Sequence, residues 1–146
     1  MTTTEITAIT DAPEAGSSKE CSIELPLGLL GFESIKQFTL TASAEEAPFQ
    51  WLQMVDAPRH SFVVVEPASI VADYHPNLSD EDVQFLRLQD PDDALVLNIV
   101  TLRAGGRPTM NLKGPIVINR RTFIGKQVIP LNASRFPLQH PLPAAL

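Results

Sequence analysis

The chain has 146 residues, of which 44% are hydrophobic and 19% charged, a balance that fits one soluble globular domain. Its formal net charge of −6 disfavours nucleic acid as the principal partner, because phosphate binding needs a concentrated basic surface. Thirteen prolines and a middle rich in Val and Ile favour short strands and turns over a helical bundle. The expected fold is mainly β.

The charges are unevenly distributed along the sequence. All 17 acidic residues precede residue 94, a region that holds only four basic residues, and the other seven basic residues follow it. Such a split can produce separate acidic and basic faces, or interleaved strands can mix the two.

The single cysteine and the N-terminal residues indicate the cellular compartment. Cys21 is the single cysteine, which excludes an intrachain disulfide and is typical of a reducing cytoplasm. A buried small hydrophobe is the favoured interpretation over a reactive thiol. The first residues show no secretion signal, and no apolar run approaches the roughly 18 residues of a membrane helix. We therefore expect a cytoplasmic chain with no membrane partner.

Residues 1–20 are rich in Thr, Ala, Ser and Glu and offer little to bury. They are predicted to form a disordered lead-in to a single domain at residues 21–146. Ile23 and Leu25 begin the first strand. An apolar turn follows that contains Gly28 and the side chains of Leu29, Leu30 and Phe32. Core packing is the favoured role for this turn, and a partner-binding surface is the alternative.

Alternating or continuous apolar runs bounded by turn residues predict further strands. These runs are residues 37–41, 49–54, 61–67, 94–102, 116–118 and 122–129. The run at 61–67 is short and continuous and is ended by its proline, which indicates a strand buried on both faces. Gly105-Gly106 predicts a hairpin connection, and the proline-rich tail at 136–142 is expected to pack over an edge.

One helix is predicted after Asn77-Leu78. Ser79 is a suitable N-cap, and the acidic residues that follow suit the positive end of the helix dipole. An apolar stripe is expected from Val83 with Leu86 and from Phe85 with Leu88. The helix should stop before Pro91.

The stretch Asn111–Asn119 joins two asparagines through Gly114-Pro115 and the β-branched run Ile116-Val117-Ile118. This pattern predicts a buried strand pinned between two turns. No catalytic role is needed to explain it.

The sequence shows no metal-ligand or catalytic motif. The three histidines, His60, His75 and His140, lack zinc-ligand spacing, and Asp90-Pro91-Asp92-Asp93 lacks the glycine and late glutamate of a calcium loop. Nucleophile-elbow, phosphate-loop and dinucleotide motifs are absent from the sequence. We therefore expect no metal, no cofactor and no enzymatic activity.

Five segments, in shared order and spacing, resemble the flagellar assembly factor FliW family. They are Leu25–Glu33, Pro48–Gln53, Phe62–Pro67 with Tyr74 soon after, Asn111–Asn119 and Gly125–Ile129. The likeness runs from about residue 22 to residue 142, and its last two segments in tandem are the most specific.

The resemblance implies a single-domain antiparallel β-barrel-like fold with one short helix. Family members bind flagellin in the cytoplasm and also bind CsrA, an RNA-binding translational regulator. In the implied circuit, flagellin export frees the factor, which then binds CsrA away from its RNA-contacting surface and antagonises it allosterically. We expect a monomer with these two protein partners and no direct contact with nucleic acid.

The sequence departs from the family pattern at three positions that bear on partner preference. Leu30 stands where proline is common, Met54 stands where serine often follows Leu-Gln, and Pro130 interrupts the last strand. Seven residues are predicted at surface or turn positions near the partner sites, namely Gln53, Met54, Asp56, Asp73, Tyr74, Asn111 and Asn119. For the two asparagines, bonding to turn backbone groups is the favoured alternative.

A small β-barrel that binds single-stranded nucleic acid is the alternative function. The basic C-terminal segment and aromatic strand residues would supply its stacking platform. The negative net charge and the 6% aromatic content argue against it. A small-molecule enzyme would need a polar pocket with convergent titratable groups.

Overall fold

The computed structural model describes residues 18–55, 60–102 and 104–143. Within these ranges nine strands and one α-helix are present, and all neighbouring strands pair antiparallel. In chain order the elements are β1 (Ser18–Glu24), β2 (Gln37–Ser43), β3 (Phe49–Met54), β4 (Ser61–Val65), α1 (Asp80–Leu86), β5 (Ala94–Thr101), β6 (Thr109–Met110), β7 (Ile116–Asn119), β8 (Gly125–Gln127) and β9 (His140–Pro141).

The first four strands form an antiparallel meander that continues onto β5. All five residues of β4 are buried, which confirms the expectation from its continuous apolar run. β2 alternates more closely between core and surface, with Phe38 and Leu40 buried. The predicted strand at residues 49–54 matches β3.

β5 is the strand on which the second half of the chain is built. One edge of β5 pairs with β4. Along the other edge, residues 94–97 pair with β7 and residues 100–101 pair with β6. Between β6 and β7 the backbone N–H of Asn111 still donates to Ile99 O at 3.0 Å. β6 and β7 are therefore one partner strand of β5, interrupted by residues 112–115.

The two halves of the chain meet at the far edges of the sheet without a ladder. Glu24 N donates to Phe123 O at 3.0 Å, and an isolated parallel bridge joins Glu24 to Ile124. β8 ends at Gln127 and Pro130 follows, so this strand does not extend along β1. The mainly β, antiparallel prediction is confirmed, but closure into a barrel is not: the sheet formed by the described residues stays open.

The core lies on both faces of β7, whose four residues are all buried. Ile116 and Ile118 belong to the largest apolar cluster, together with Leu25, Phe38 and Leu52. Val117 points to the opposite face and packs with Leu86 of α1 and with Val128. This alternation makes β7 the strand that joins the meander to the helix.

α1 ends at Leu86, which confirms that the helix stops before Pro91; the left-handed conformation of Arg87, with φ 56°, follows its last residue. Two predictions need correction. Ser18–Glu20 belong to β1 and not to a disordered lead-in, because pairing with β2 orders an edge strand that buries little; residues 1–17 lie outside the described ranges. In the apolar turn, Leu29 is buried and Phe32 half-buried, but Leu30 is 81% exposed.

Gly28 and Gly31 in the apolar turn allow a test of local packing. Both have positive φ, so alanine at either position costs about 1–2 kcal/mol of backbone strain. A Cβ at Gly28 would also lie 2.6 Å from Glu33 Cα, whereas one at Gly31 meets nothing within 4 Å. We expect G28A to lower the free energy of unfolding by about 1–3 kcal/mol more than G31A, measured by urea denaturation. Equal losses would contradict the packing described.

Candidate functional site

An apolar groove lies between α1, the first residues of β5 and the extended segment 74–78, with a volume of about 700 Å³. Its apolar lining consists mainly of Leu78, Val83, Leu88, Ala94, Val96, Val117 and Leu131. Leu131 is 71% exposed, while Val117 is fully buried. The groove therefore presents a continuation of the apolar core to solvent.

Capping fixes where α1 begins. The Ser79 hydroxyl accepts from Asp82 N at 3.1 Å, as predicted for an N-cap. Leu86, the last residue of α1, is buried, and Val83 and Leu88 are half-buried in the groove wall. Phe85, predicted to belong to the apolar stripe, is instead 39% exposed. The short helix turns only one narrow face inward.

Asn119 fixes where α1 ends. Its Nδ2 donates to Leu86 O at 2.8 Å and to Arg87 O at 3.3 Å, which satisfies carbonyls at the helix C-terminus. Its Oδ1 accepts from Arg121 N at 2.7 Å and from Thr122 N at 3.2 Å. One buried carboxamide thus joins the helix end to the turn between β7 and β8.

A second link between α1 and β8 is ionic. Asp82 is 6% exposed and pairs with the Lys126 ammonium group. The same ammonium lies 5.4 Å from the centre of the Phe85 ring, within the range of a cation–π contact. The pair anchors the outer side of the helix to the sheet.

The turn at residues 90–93 closes one end of the groove. Asp90 and Asp93 form a capping box around this short 3-10 helix. Asp93 also pairs with Arg121 at 3.1 Å and accepts from Gln89 N at 2.8 Å. The bond from Arg121 and these backbone N–H groups lower the pKa of Asp93 to about 2.

The two ion pairs of the described residues settle the charge arrangement at this edge. Asp82 and Asp93 come from the acidic part of the sequence, and Lys126 and Arg121 from the basic part. The fold therefore brings acidic and basic residues next to each other here instead of separating them into two faces.

Asn132 holds the segment that forms the other wall. Its Oδ1 accepts from Asn77 N at 2.9 Å, and its Nδ2 donates to His75 O at 3.0 Å. Leu131 N donates to Asn77 O at 2.7 Å, which brings the exposed Leu131 side chain to the rim. Three backbone groups of this wall, His75 O, Asn77 N and Asn77 O, are therefore bonded within the protein.

The residues predicted near β3 have different positions. Gln53 is half-buried in β3, opposite Thr39 and Ser61. Met54 is 1% exposed and belongs to the main core, so its predicted surface position is wrong: strand alternation turns its side chain inward. Asp56 lies outside the described residues.

Asp73 is exposed, but the neighbouring Tyr74 is 8% exposed. The Tyr74 hydroxyl donates to Leu112 O at 2.7 Å, and its ring meets Phe136 edge to face at 4.7 Å between centroids. Burial raises the pKa of Tyr74, and the side chain of Asn98 opposes this shift. Tyr74 lines the base of the groove wall and is mainly a packing residue.

Both predicted asparagines bond to turn backbone groups, as the favoured alternative proposed. Asn111 Oδ1 accepts from Lys113 N at 2.9 Å and from Gly114 N at 3.1 Å, which holds the interruption between β6 and β7. Asn111 O accepts from Asn98 Nδ2 at 2.6 Å. Asn119 is fully buried at the other end of β7, so its predicted surface position is wrong. These asparagines shape the strand that lies under the groove.

The sequence did not predict the groove itself. Of the six predicted residues that the structure describes, Tyr74 is the only one that lines the groove. Leu131, in a proline-bounded segment with no clear period, carried no signal of exposure. Other large apolar side chains at the surface include Leu30, Ile129 and Leu138 at 81%, 66% and 55% exposure. Within the described ranges no group of three or more metal-capable side chains is present, and no helix is long and apolar enough to cross a membrane.

Comparison with known proteins places the chain. A family model described as FliW protein matches residues 3–142. The chain belongs to the FliW family. It is 38% identical over 120 residues to the flagellar assembly factor FliW of Geobacter sulfurreducens, covering 82% of this chain and 74% of the relative. It is 36% identical over 121 residues to that of Clostridium botulinum strain Langeland, covering 82% and 84%.

The fold agrees with this membership. A crystal structure of the flagellar assembly factor FliW superposes with a TM-score of 0.76 at 33% identity, covering 86% of this chain and 88% of that one. The family assignment made from the five sequence segments is confirmed.

Asn119 should contribute more to the free energy of unfolding than an exposed asparagine does. N119A removes donors to two helix carbonyls and an acceptor for two turn amides, all at a buried site. We expect a loss of about 2–3 kcal/mol in the free energy of unfolding, measured by urea denaturation. N77A, at an exposed position, is the control and should change it by less than about 0.5 kcal/mol. Similar values for both variants would contradict the anchoring role of Asn119.

The Asp93–Arg121 pair predicts a pH dependence. The pKa of Asp93 falls from 3.8 to about 2 on folding, so its stabilisation is complete above pH 3.8 and is lost as the pH falls through about 2. D93N should therefore be less stable than the wild type at neutral pH, and the gap should close near pH 2, measured by urea denaturation. D92N, which alters an exposed carboxyl of the same turn, controls for local charge. A gap for D93N that is constant with pH would rule out this linkage.

Proposed function

We propose that this chain is a non-enzymatic, protein-binding regulator of flagellum assembly in the cytoplasm. It binds flagellin there; when freed, it binds the translational regulator CsrA and antagonises it allosterically. Membership of the FliW family supports the role in flagellum assembly. The two partners follow from the resemblance that the five sequence segments carry.

The observation that most favours protein binding is the apolar groove. It is open at the surface and carries apolar side chains from α1, β5 and the segment before Asn132. Exposed apolar surface with a polar border is typical of protein interaction sites. Its polar wall groups bond to the protein itself, as Asn132 does to Asn77 and His75.

Charge supports a basic second partner. The net charge is −6, and exposed acidic side chains include Glu45, Glu46, Asp80, Glu81, Asp90 and Asp92. Complementary charge speeds encounter with a basic RNA-binding protein and improves specificity more than affinity.

The nucleic-acid alternative is less favoured, because four cations of the basic C-terminal segment bond internally. Arg121 and Lys126 are ion-paired, Lys113 Nζ donates to Ala133 O at 2.9 Å, and Arg107 donates to Leu142 O. Cations used in this way are poorly placed to form a phosphate-binding platform.

The proposal is tested by affinity purification of the tagged chain from the cytoplasm of a flagellated bacterium that expresses both partners. We expect flagellin and CsrA to be recovered, with more CsrA from cells whose flagellin gene is deleted. Recovery of neither protein from cells that contain both would contradict the proposal. A salt-dependent complex with single-stranded RNA would favour the nucleic-acid alternative.

The charge contribution to CsrA binding is tested separately with purified proteins. E45K and D92K reverse exposed carboxylates, and each should weaken CsrA binding about two- to fivefold at low salt and reduce its salt dependence. K19E adds a negative charge at an exposed position and is the opposite-sign control, expected not to weaken binding. Titration calorimetry over a salt series gives the affinities. Unchanged affinity in both lysine variants would remove the electrostatic contribution.

A further inference from the structure

The groove is longer than its main cavity. A second cavity of about 180 Å³ adjoins it, and Tyr74, Pro76, Ala94 and Val96 line both. Glu66 and Arg120 also line the second cavity, while the lining of the main cavity is mostly apolar. A mostly apolar surface of this size suits a segment of polypeptide better than a small polar metabolite, whose site needs several convergent polar groups.

Several polar groups around the groove already have partners within the protein. The Tyr74 hydroxyl donates to Leu112 O, and the wall at residues 75–77 bonds to Asn132 and Leu131. An extended peptide would bury its own N–H and C=O groups here without strand-like partners, at a cost for each unpaired group. A helix satisfies its backbone internally and offers an apolar stripe, so it is the peptide conformation that fits.

The acidic end of the groove specifies a charge. Asp90 lines the groove, and Asp92 is exposed beside it. Asp93 of the same turn is paired with Arg121, which also attracts Asp90 at longer range. The turn carries three carboxylates, Asp90, Asp92 and Asp93, against this one guanidinium, so it keeps a net negative charge that favours a cation on the ligand.

We propose that the groove binds an amphipathic helix of a partner protein, with the apolar stripe of the helix on Val83, Leu88 and Leu131 and a basic residue beside Asp90. This inference goes beyond the proposed function, because it specifies the chemistry of the ligand and its position and not the identity of the partner. Leu131 supplies the rim contact, and Asp90 sets which end of the helix carries the cation.

The test uses the full chain and three synthetic 16-residue helical peptides (about four turns, at 3.6 residues per turn). The first has a leucine stripe at helical spacing and one terminal lysine. The second has glutamate in place of that lysine, and the third has the leucines scrambled around the helix. Affinities are measured by fluorescence anisotropy, and the site is located by amide chemical shifts in NMR spectra.

The variants are chosen to leave the fold intact. L131D alters a side chain that is 71% exposed and lines the groove, and L138D, at 55% exposure and outside the groove lining, is its matched control. D90N removes a charge while keeping a residue type suited to the N-cap that Asp90 provides.

We expect the lysine peptide to bind best and the scrambled peptide to bind weakest, with shifts concentrated at the groove. L131D should weaken binding about tenfold or more while L138D does not, since L131D replaces an apolar contact in the groove with a carboxylate that the bound helix would bury. D90N should reduce the preference for the lysine peptide over the glutamate peptide about two- to fivefold.

Three results would overturn the proposal: no saturable binding of the lysine peptide, equal effects of L131D and L138D, or a lysine preference that D90N leaves unchanged. Flagellin binding is measured in parallel on the same samples. Peptide binding without flagellin binding would support this inference and contradict the proposed function, and flagellin binding without saturable binding of the lysine peptide would do the reverse.

Discussion

The buried carboxamide of Asn119 is the interaction on which the second half of the fold depends. It joins the C-terminus of α1 to the turn that starts β8, and its four hydrogen bonds connect elements that are distant in sequence. Asn111 acts at the other end of the same stretch and holds the interruption that lets β6 and β7 share one edge of β5. With both ends fixed, Ile116 and Ile118 face the meander core and Val117 faces the helix. Polar anchors at the ends of an apolar strand therefore set its register.

The groove follows from this arrangement. α1 is only seven residues long and would be marginal alone, so packing and end anchoring hold it in place. Because Asn119 fixes its C-terminus and Lys126 its outer side, Val83 and Leu88 remain at the surface opposite the Asn132-anchored segment. The residues that distinguish the family in sequence thus build the support, and less patterned loop residues provide the candidate binding surface. Loops positioned by a rigid scaffold commonly carry binding.

Much of the fold could be predicted, because its signals are local. The runs at β3 and β4, the Ser79 cap and the hairpin connection at Gly105-Gly106 between β5 and β6 each follow from periodicity or turn chemistry within a few residues. The open sheet could not be predicted, because closure depends on whether β1 and β8 pair along their length, and no local pattern encodes that contact. The site was harder still: Met54 and Asn119 carry residue types that suit both surface and core, and their burial depends on tertiary packing. Leu131 reaches the groove through a backbone bond to Asn77, more than fifty residues away.

Hydrogen–deuterium exchange of the full chain, with and without saturating flagellin, tests most directly the claim that the asparagine-bracketed strand is a scaffold and the groove is the contact surface. We expect amides of β7 to exchange slowly in the free protein and to change little on binding. Protection should rise in residues 75–91 and around Leu131, which border the groove. New protection confined to the turns at Asn111 and Asn119, with none along the groove, would contradict this assignment.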